Sequence, residues 1–288
     1  MKARPGLQLF DHCAVTNGLY AAAVLGVLAI GMGETVRLEA YAFVGCLAMA
    51  TYLLDRVKLP WMPPDESDRL AHPDRTRLMQ SRTRLIRVLM VVMLVLAAIA
   101  AIRLSLWLAT LIPASLIGVL LYARPRERGW RPKDVFILKN ATVAGCLVAL
   151  SGVVLLVDAA HAWDQSVMER AADNWMAWPG LFAGVFAWVF GDAAGCDLDD
   201  VAGDRPFNTR TIPVLHGAHR TAIVMLALVT LGSLALLTVS PTLSTLVGAV
   251  LMLGSTLWLC LKPRETYRVF IDMRLPIIAA GMWLVAWL

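Results

Sequence analysis

Runs of about 20 apolar residues, repeated along nearly the whole chain, leave few folds open. A helix rises about 1.5 Å per residue, so each run is long enough to cross about 30 Å of hydrocarbon. Backbone groups in lipid find no water to bond, so runs of this kind become helices and not open strands. Nine stretches can be counted, at about 12–32, 38–54, 86–103, 105–122, 138–157, 176–195, 218–239, 242–261 and 269–288. Only 16% of the 288 residues are charged, against about 25% in an ordinary soluble domain. The chain therefore reads as an all-α integral membrane protein.

The first run follows MKARPGLQLF and extends to about Met32 without a small-residue cleavage site, so it reads as a membrane helix and not as a cleaved leader. Segments 1–11, 55–87, 123–139, 196–220 and 262–268 hold 22 of the 26 Lys and Arg residues, and the alternate loops are nearly bare of them. By the positive-inside rule the N-terminus is cytoplasmic and, after nine crossings, the C-terminus is on the opposite side. The net charge of +5 needs no nucleic acid to explain it, because the basic residues lie at membrane level with no nucleic-acid-binding motif. Five scattered cysteines without a CxxC pair suggest neither a disulfide framework nor a zinc site.

Against this background GCDLDDVAGDRPFNTRTIP, residues 195–213, stands out. Asp197, Asp200 and Asp204 are spaced i, i+3, i+7 and share one helix face, where they repel unless a cation lies between them. A solvated helix end would tolerate the same spacing. Magnesium, with its preference for hard oxygen ligands, would exploit it. A second acidic segment closes the second stretch: TYLLDRVKLPWMPPDESDR, residues 51–69, with Asp55 nearest the membrane and Asp65, Glu66 and Asp68 after the prolines. Both segments fall on the basic, cytoplasmic side, so together they suggest a metal–phosphate site.

The run CDLDDVAGDRPFNTRTIPVLHG, residues 196–217, resembles the second signature of the UbiA superfamily of intramembrane prenyltransferases. That signature is DxxDxxxD followed by a basic-Thr-Leu-Pro-Val-like segment ending in Gly. Asp197, Asp200 and Asp204 match its acidic part, and Arg210, Thr211, Ile212, Pro213, Val214 and Gly217 match the rest. YARPRERGWRPKDVFILKN, residues 122–140, is similar to the family's Tyr-x-x-Pro loop. The first signature, NxxxDxxxD, is altered: Thr51 stands at the Asn position, Asp55 matches, and Leu59 replaces the second aspartate.

The resemblance implies nine transmembrane helices, a single UbiA-like domain over residues 1–288, around a central cavity open to the cytoplasmic side. Loops at about 55–85 and 196–217 would cap it. It implies an Mg2+-dependent enzyme ionising an isoprenyl diphosphate and passing the prenyl group to an aromatic or lipid acceptor. Asp197, Asp200 and Asp204 would hold one Mg2+ and Asp55 another, with Asp65, Glu66 or Asp68 as stand-ins for the missing aspartate. Arg56, Arg126, Lys139, Arg205 and Arg210 are the candidate diphosphate contacts, because cations stabilise charge growing on leaving oxygens. Asp55, Asp200 and Tyr122 are the candidate catalytic residues; Tyr52, Asn140 and Phe186 would line the substrate. Two other readings fit the same residues: a UbiA-type terpene cyclase that needs no acceptor, and, more remotely, a membrane transporter.

Overall fold

The computed structural model describes residues 10–59, 62, 65–124, 131–161, 178–261 and 267–288. Among them there is no strand. The helices are α1 (Val15–Met32), α2 (Leu38–Val57), α3 (Glu66–Ala71), α4 (Pro73–Ser81), α5 (Thr83–Leu104), α6 (Leu111–Tyr122), α7 (Leu138–His161), α8 (Trp178–Asp204), α9 (Ile212–Val239), α10 (Leu243–Leu261) and α11 (Tyr267–Ala286). Short 3-10 turns at Leu106–Thr110, Pro132–Asp134 and Arg205–Phe207 join some of them. Among the described residues eight helices are long and apolar enough to cross a membrane, and the chain is a multi-pass integral membrane protein.

The expected stretch 105–122 is not one of the eight. Ser105 is extended, a 3-10 turn follows over Leu106–Thr110, and α6 holds only 12 residues. Pro113 has no N–H to bond the carbonyl of Ala109, so a continuous helix through this point would lose a rung. Five of the described spans, α2, α5, α7, α8 and α9, also outrun the hydropathy-based bounds. The largest extension is in α8, whose 27 residues make a rod of about 40 Å. That exceeds the hydrocarbon thickness, so its last turns reach the polar zone.

Helix approach is set by small residues. A Cβ on Gly232 of α9 would lie 2.6 Å from the Gly184 carbonyl oxygen of α8, and one on Gly184 would lie 2.9 Å from the Gly232 oxygen. The two backbones therefore touch, and Trp188 fills the space beside them, fully buried, with its indole N–H donating to Ser233 Oγ at 3.1 Å. Deeper in the bundle Arg274 of α11 pairs with Asp192 of α8. Tyr20 of α1 donates to the same carboxylate at 2.7 Å, and Arg274 donates to Thr256 of α10 at 3.0 Å. Charges inside a membrane face the protein and find partners, so this network fixes how four helices are rotated about their axes.

Gly232→Ala is expected to lower the melting temperature in detergent, at a cost of about 1–3 kcal/mol for the overpacked contact. Gly254→Ala, where an added Cβ meets nothing within 4 Å, is expected to leave it unchanged or raise it. Equal effects of the two substitutions would contradict the close approach of α8 and α9.

Candidate diphosphate and metal site

The carboxylates of Asp197, Asp200 and Asp204 sit on the last turns of α8, and one oxygen from each lies within 4.8 Å of the others. Asp197 and Asp204 are buried and Asp200 nearly so. What holds them together is Lys139, the second residue of α7. Its Nζ is 2.7 Å from Asp197, 3.4 Å from Asp200 and 3.4 Å from Asp204. Arg268 at the start of α11 adds a second cation: its Nη1 is 3.1 Å from Asp200, and its backbone N–H donates to Asp199 at 3.1 Å. His72 Nε2 lies 2.7 Å from the same Asp200 oxygen. Burial holds the His72 imidazole below its usual range despite that carboxylate, so it is a neutral partner at pH 7.

The donor set suits a hard divalent cation. All three side chains offer carboxylate oxygen. Asp197 Oδ2 is buried without a hydrogen-bond partner, an arrangement that normally costs free energy and that a cation would relieve. The three carboxylates also outnumber the two cations, Lys139 and Arg268, in contact with them.

A lid of polar segments covers this end of the bundle. Asp65 caps α3, accepting from the Ser67 N–H at 3.1 Å and the Ser67 hydroxyl at 2.7 Å. Its other oxygen takes Arg131 at 2.9 Å and Lys133 at 3.2 Å. Lys133 also reaches Asp68 at 3.4 Å, while Arg131 bonds Asp134 at 2.6 Å. The Arg210 backbone N–H, in turn, donates to the Asp134 carbonyl at 3.4 Å. Thus the 65–81 segment, the 131–134 turn and the 205–211 loop are stitched to one another. Contact with α8 is close: a Cβ on Gly203 would lie 2.2 Å from the Ser67 carbonyl oxygen. Burial alone would raise the Asp65 carboxyl, but Lys133, Ser67 and Arg131 hold it well below the ordinary range. Burial alone would likewise depress Lys133, yet Asp68, Asp55 and Asp65 push its ammonium well above that of a free lysine.

Other residues expected at the site are distributed as follows. Tyr122, at the end of α6, lies within electrostatic reach of Lys139, Lys133, Asp55 and Asp197, between the two acidic segments. Asn140 is buried beside Asp197. Asp55 is not a member of the carboxylate cluster and is paired with Lys58. Glu66 is exposed and pairs with Arg69 at 3.3 Å. Arg56 points elsewhere: its guanidinium is spent on the Asp11 and His12 carbonyls, Asn17 and the Asp11 carboxylate. Arg205 and Arg210 have exposed side chains. Tyr52 faces the Asp272, Arg268 and Cys196 side of the bundle. Arg126 lies outside the described residues.

Phe186 is half-buried and stacks obliquely on Phe190, ring centroids 5.9 Å apart. At 100° per residue, Phe182 and Phe186 share a face of α8 with the three aspartates, so apolar rings lead from the carboxylates back into the bundle. His72, Arg268, Lys58 and Lys133 are the charged or polar neighbours that the sequence reading did not single out. His72 stood in a polar loop and Arg268 in a basic one, with no spacing to join either to residues more than 60 positions away.

The family model described as "UbiA prenyltransferase family" matches residues 66–269. Among solved structures, the apo structure of a UbiA homolog from Aeropyrum pernix K1 superposes with a TM-score of 0.67 at 17% identity, covering 95% of this chain and 99% of that one. A structure of digeranylgeranylglyceryl phosphate synthase superposes with a TM-score of 0.50 at 14% identity, covering 96% of each chain. At these identities the structures share the fold. No curated protein sequence is similar enough to count as a match.

The lid should loosen in a defined way. Gly203→Ala and Asp65→Asn are each expected to speed tryptic cleavage after Arg69, Arg75 or Arg77. The second leaves Arg131 and Lys133 short of their partner, at a cost of about 3 kcal/mol. Because the Asp65 carboxyl is depressed below its ordinary 3.8, its contribution is complete above that pH and is lost as the pH falls further. Cleavage of unaltered protein by an acid-tolerant protease should therefore rise below about pH 4; a flat profile would contradict the ion-paired lid.

Proposed function

Because the chain belongs to the UbiA prenyltransferase family, we propose that it is an Mg2+-dependent intramembrane prenyltransferase. It would ionise an isoprenyl diphosphate and pass the prenyl group to an aromatic or lipid acceptor. The observation that carries this reading is the convergence of Asp197, Asp200 and Asp204 on Lys139 where α8 leaves the apolar bundle. A substrate with an apolar tail and a polyanionic head matches that boundary.

The three aspartates would hold the metal. When bound, magnesium supplies the positive charge that lets carboxylates accept a diphosphate and that offsets charge on the departing oxygens. The chain's own groups do the remainder. Lys139 can release an aspartate and donate to a phosphate oxygen, since an ammonium on a four-carbon stem turns with little obstruction. Tyr122 and Asn140 flank this position and orient the head. Phe182 and Phe186 offer ring faces along the path of the tail, where an allylic cation is attracted by the ring quadrupole. The α3–α4 lid and its ion pairs keep bulk water from that cation until the acceptor attacks. The distribution of basic residues supports a cytoplasmic site and N-terminus.

Purified protein incubated with C10, C15 and C20 prenyl diphosphates, Mg2+ and a panel of phenolic and glycerol-type acceptors should release diphosphate only when an acceptor is present. Asp200→Asn should lower that rate more than about 100-fold, and EDTA should abolish it. A cyclised or eliminated terpene formed without acceptor, and lost in the variant, would instead assign the protein as a cyclase.

A further inference from the structure

The two acidic segments are electrically unequal. On the α8 side, among the described residues, three carboxylates share two cations, and the buried Asp197 carboxylate has only the neutral Asn140 beside it apart from Lys139. On the other side, among the described residues, Asp55, Asp65, Asp68 and Asp134 form ion pairs with Lys58, Arg75, Arg131 and Lys133, four acids to four bases. An added divalent ion would compensate a deficit beside α8 but create a surplus beside Asp55.

The backbone explains why no second carboxylate joins Asp55. An aspartate one turn further on would share its helix face, but α2 ends at Val57, and Leu59 lies beyond the helix. Lys58 turns the chain with a φ of 59° and lays its buried ammonium on the Asp55 carboxylate. One turn earlier, Thr51 spends its hydroxyl on the Ala48 carbonyl at 2.8 Å. Leu59 has no side-chain oxygen for a metal, and Thr51 brings only a neutral hydroxyl where a second carboxylate would be needed to offset the charge of another ion. The three loop acids do not replace the missing ligand either: Glu66 is exposed beside Arg69, Asp65 and Asp68 both contact Lys133, and Asp65 is also held by Arg131 and Ser67.

We propose that this chain takes a single divalent cation, on the α8 triplet, and that the Lys58 ammonium stands in for a second ion at Asp55. The inference rests on the reading of this end of the bundle as a metal–diphosphate site. A tethered ammonium that keeps one N–H on Asp55 brings one charge and two further donors to the diphosphate from that side, at a fixed position and without dependence on free metal concentration.

The test counts Mn2+ on the full chain in detergent, using a C20 prenyl S-thiolodiphosphate that is not cleaved, with protein in excess and the thiolodiphosphate alone as blank. Free Mn2+ is read by electron paramagnetic resonance at equilibrium, and the bound signal is inspected for exchange coupling. One Mn2+ per complex with an uncoupled signal is expected, falling at least tenfold in affinity in Asp200→Asn. Lys58→Gln should admit a second, exchange-coupled ion, whereas Lys58→Arg, which keeps the charge, should stay at one. Two coupled ions in the unaltered protein would overturn the single-ion proposal while leaving the diphosphate site standing. A count of one in Lys58→Gln, or two in Lys58→Arg, would overturn the role given to Lys58. Absence of any protein-dependent Mn2+ would remove the metal reading itself.

Discussion

Three carboxylates on one face of a helix end can converge only if something positive lies between them. At about 4 Å, two like charges repel by about 4 kcal/mol at the effective dielectric of a protein edge. Lys139 is what permits the arrangement, with its ammonium 2.7–3.4 Å from all three. Its own position is unfavourable on local grounds, because it is the second residue of α7, where the helix dipole disfavours a cation. Each side therefore explains the other. The triplet needs the lysine, and the lysine is at a helix start because the triplet is there.

Much of the bundle serves to bring α7 and α8 to that meeting. The backbone contact of α8 with α9 at Gly184 and Gly232 fixes the path of α8. The Asp192–Arg274–Tyr20 network fixes its rotation. A length of about 40 Å then carries its last turns past the hydrocarbon, so the carboxylates stand at the polar edge beneath the lid while Phe182 and Phe186 remain among apolar helices. The lid is tied to the same helix end through His72 and Gly203. Loss of the lid would leave the polar groups of the site open to solvent, the condition under which a reactive allylic cation is lost to water.

The i, i+3, i+7 spacing was enough to place Asp197, Asp200 and Asp204 together, because that relation is local and helical. Lys139 and Tyr122 were singled out from their segment; Lys139 reaches all three carboxylates, and Tyr122 lies within electrostatic reach of Lys139 and Asp197. Arg56 was misleading for a tertiary reason: a guanidinium beside Asp55 in sequence is drawn to the carbonyls of Asp11 and His12, which no spacing rule foresees. His72 and Arg268 were invisible for the converse reason, since each meets Asp200 across more than 60 residues. Hydropathy alone ran straight through Ser105 and Pro113, where backbone geometry divides the stretch. It also ended α8 near residue 195, because charged residues end an apolar run without ending a helix. The meaning of Leu59 depended on where α2 stops, and that emerged only with the turn at Lys58.

The most direct measurement is an experimental structure of the protein with Mg2+ and an uncleavable prenyl S-thiolodiphosphate. The expected result is a diphosphate head beside Asp197, Asp200 and Asp204, with Lys139 Nζ turned from Asp197 to a phosphate oxygen and the tail running along the Phe182–Phe186 face of α8. A head bound away from the triplet, with Lys139 still locked among the three carboxylates, would contradict the assignment of this cluster as the substrate site.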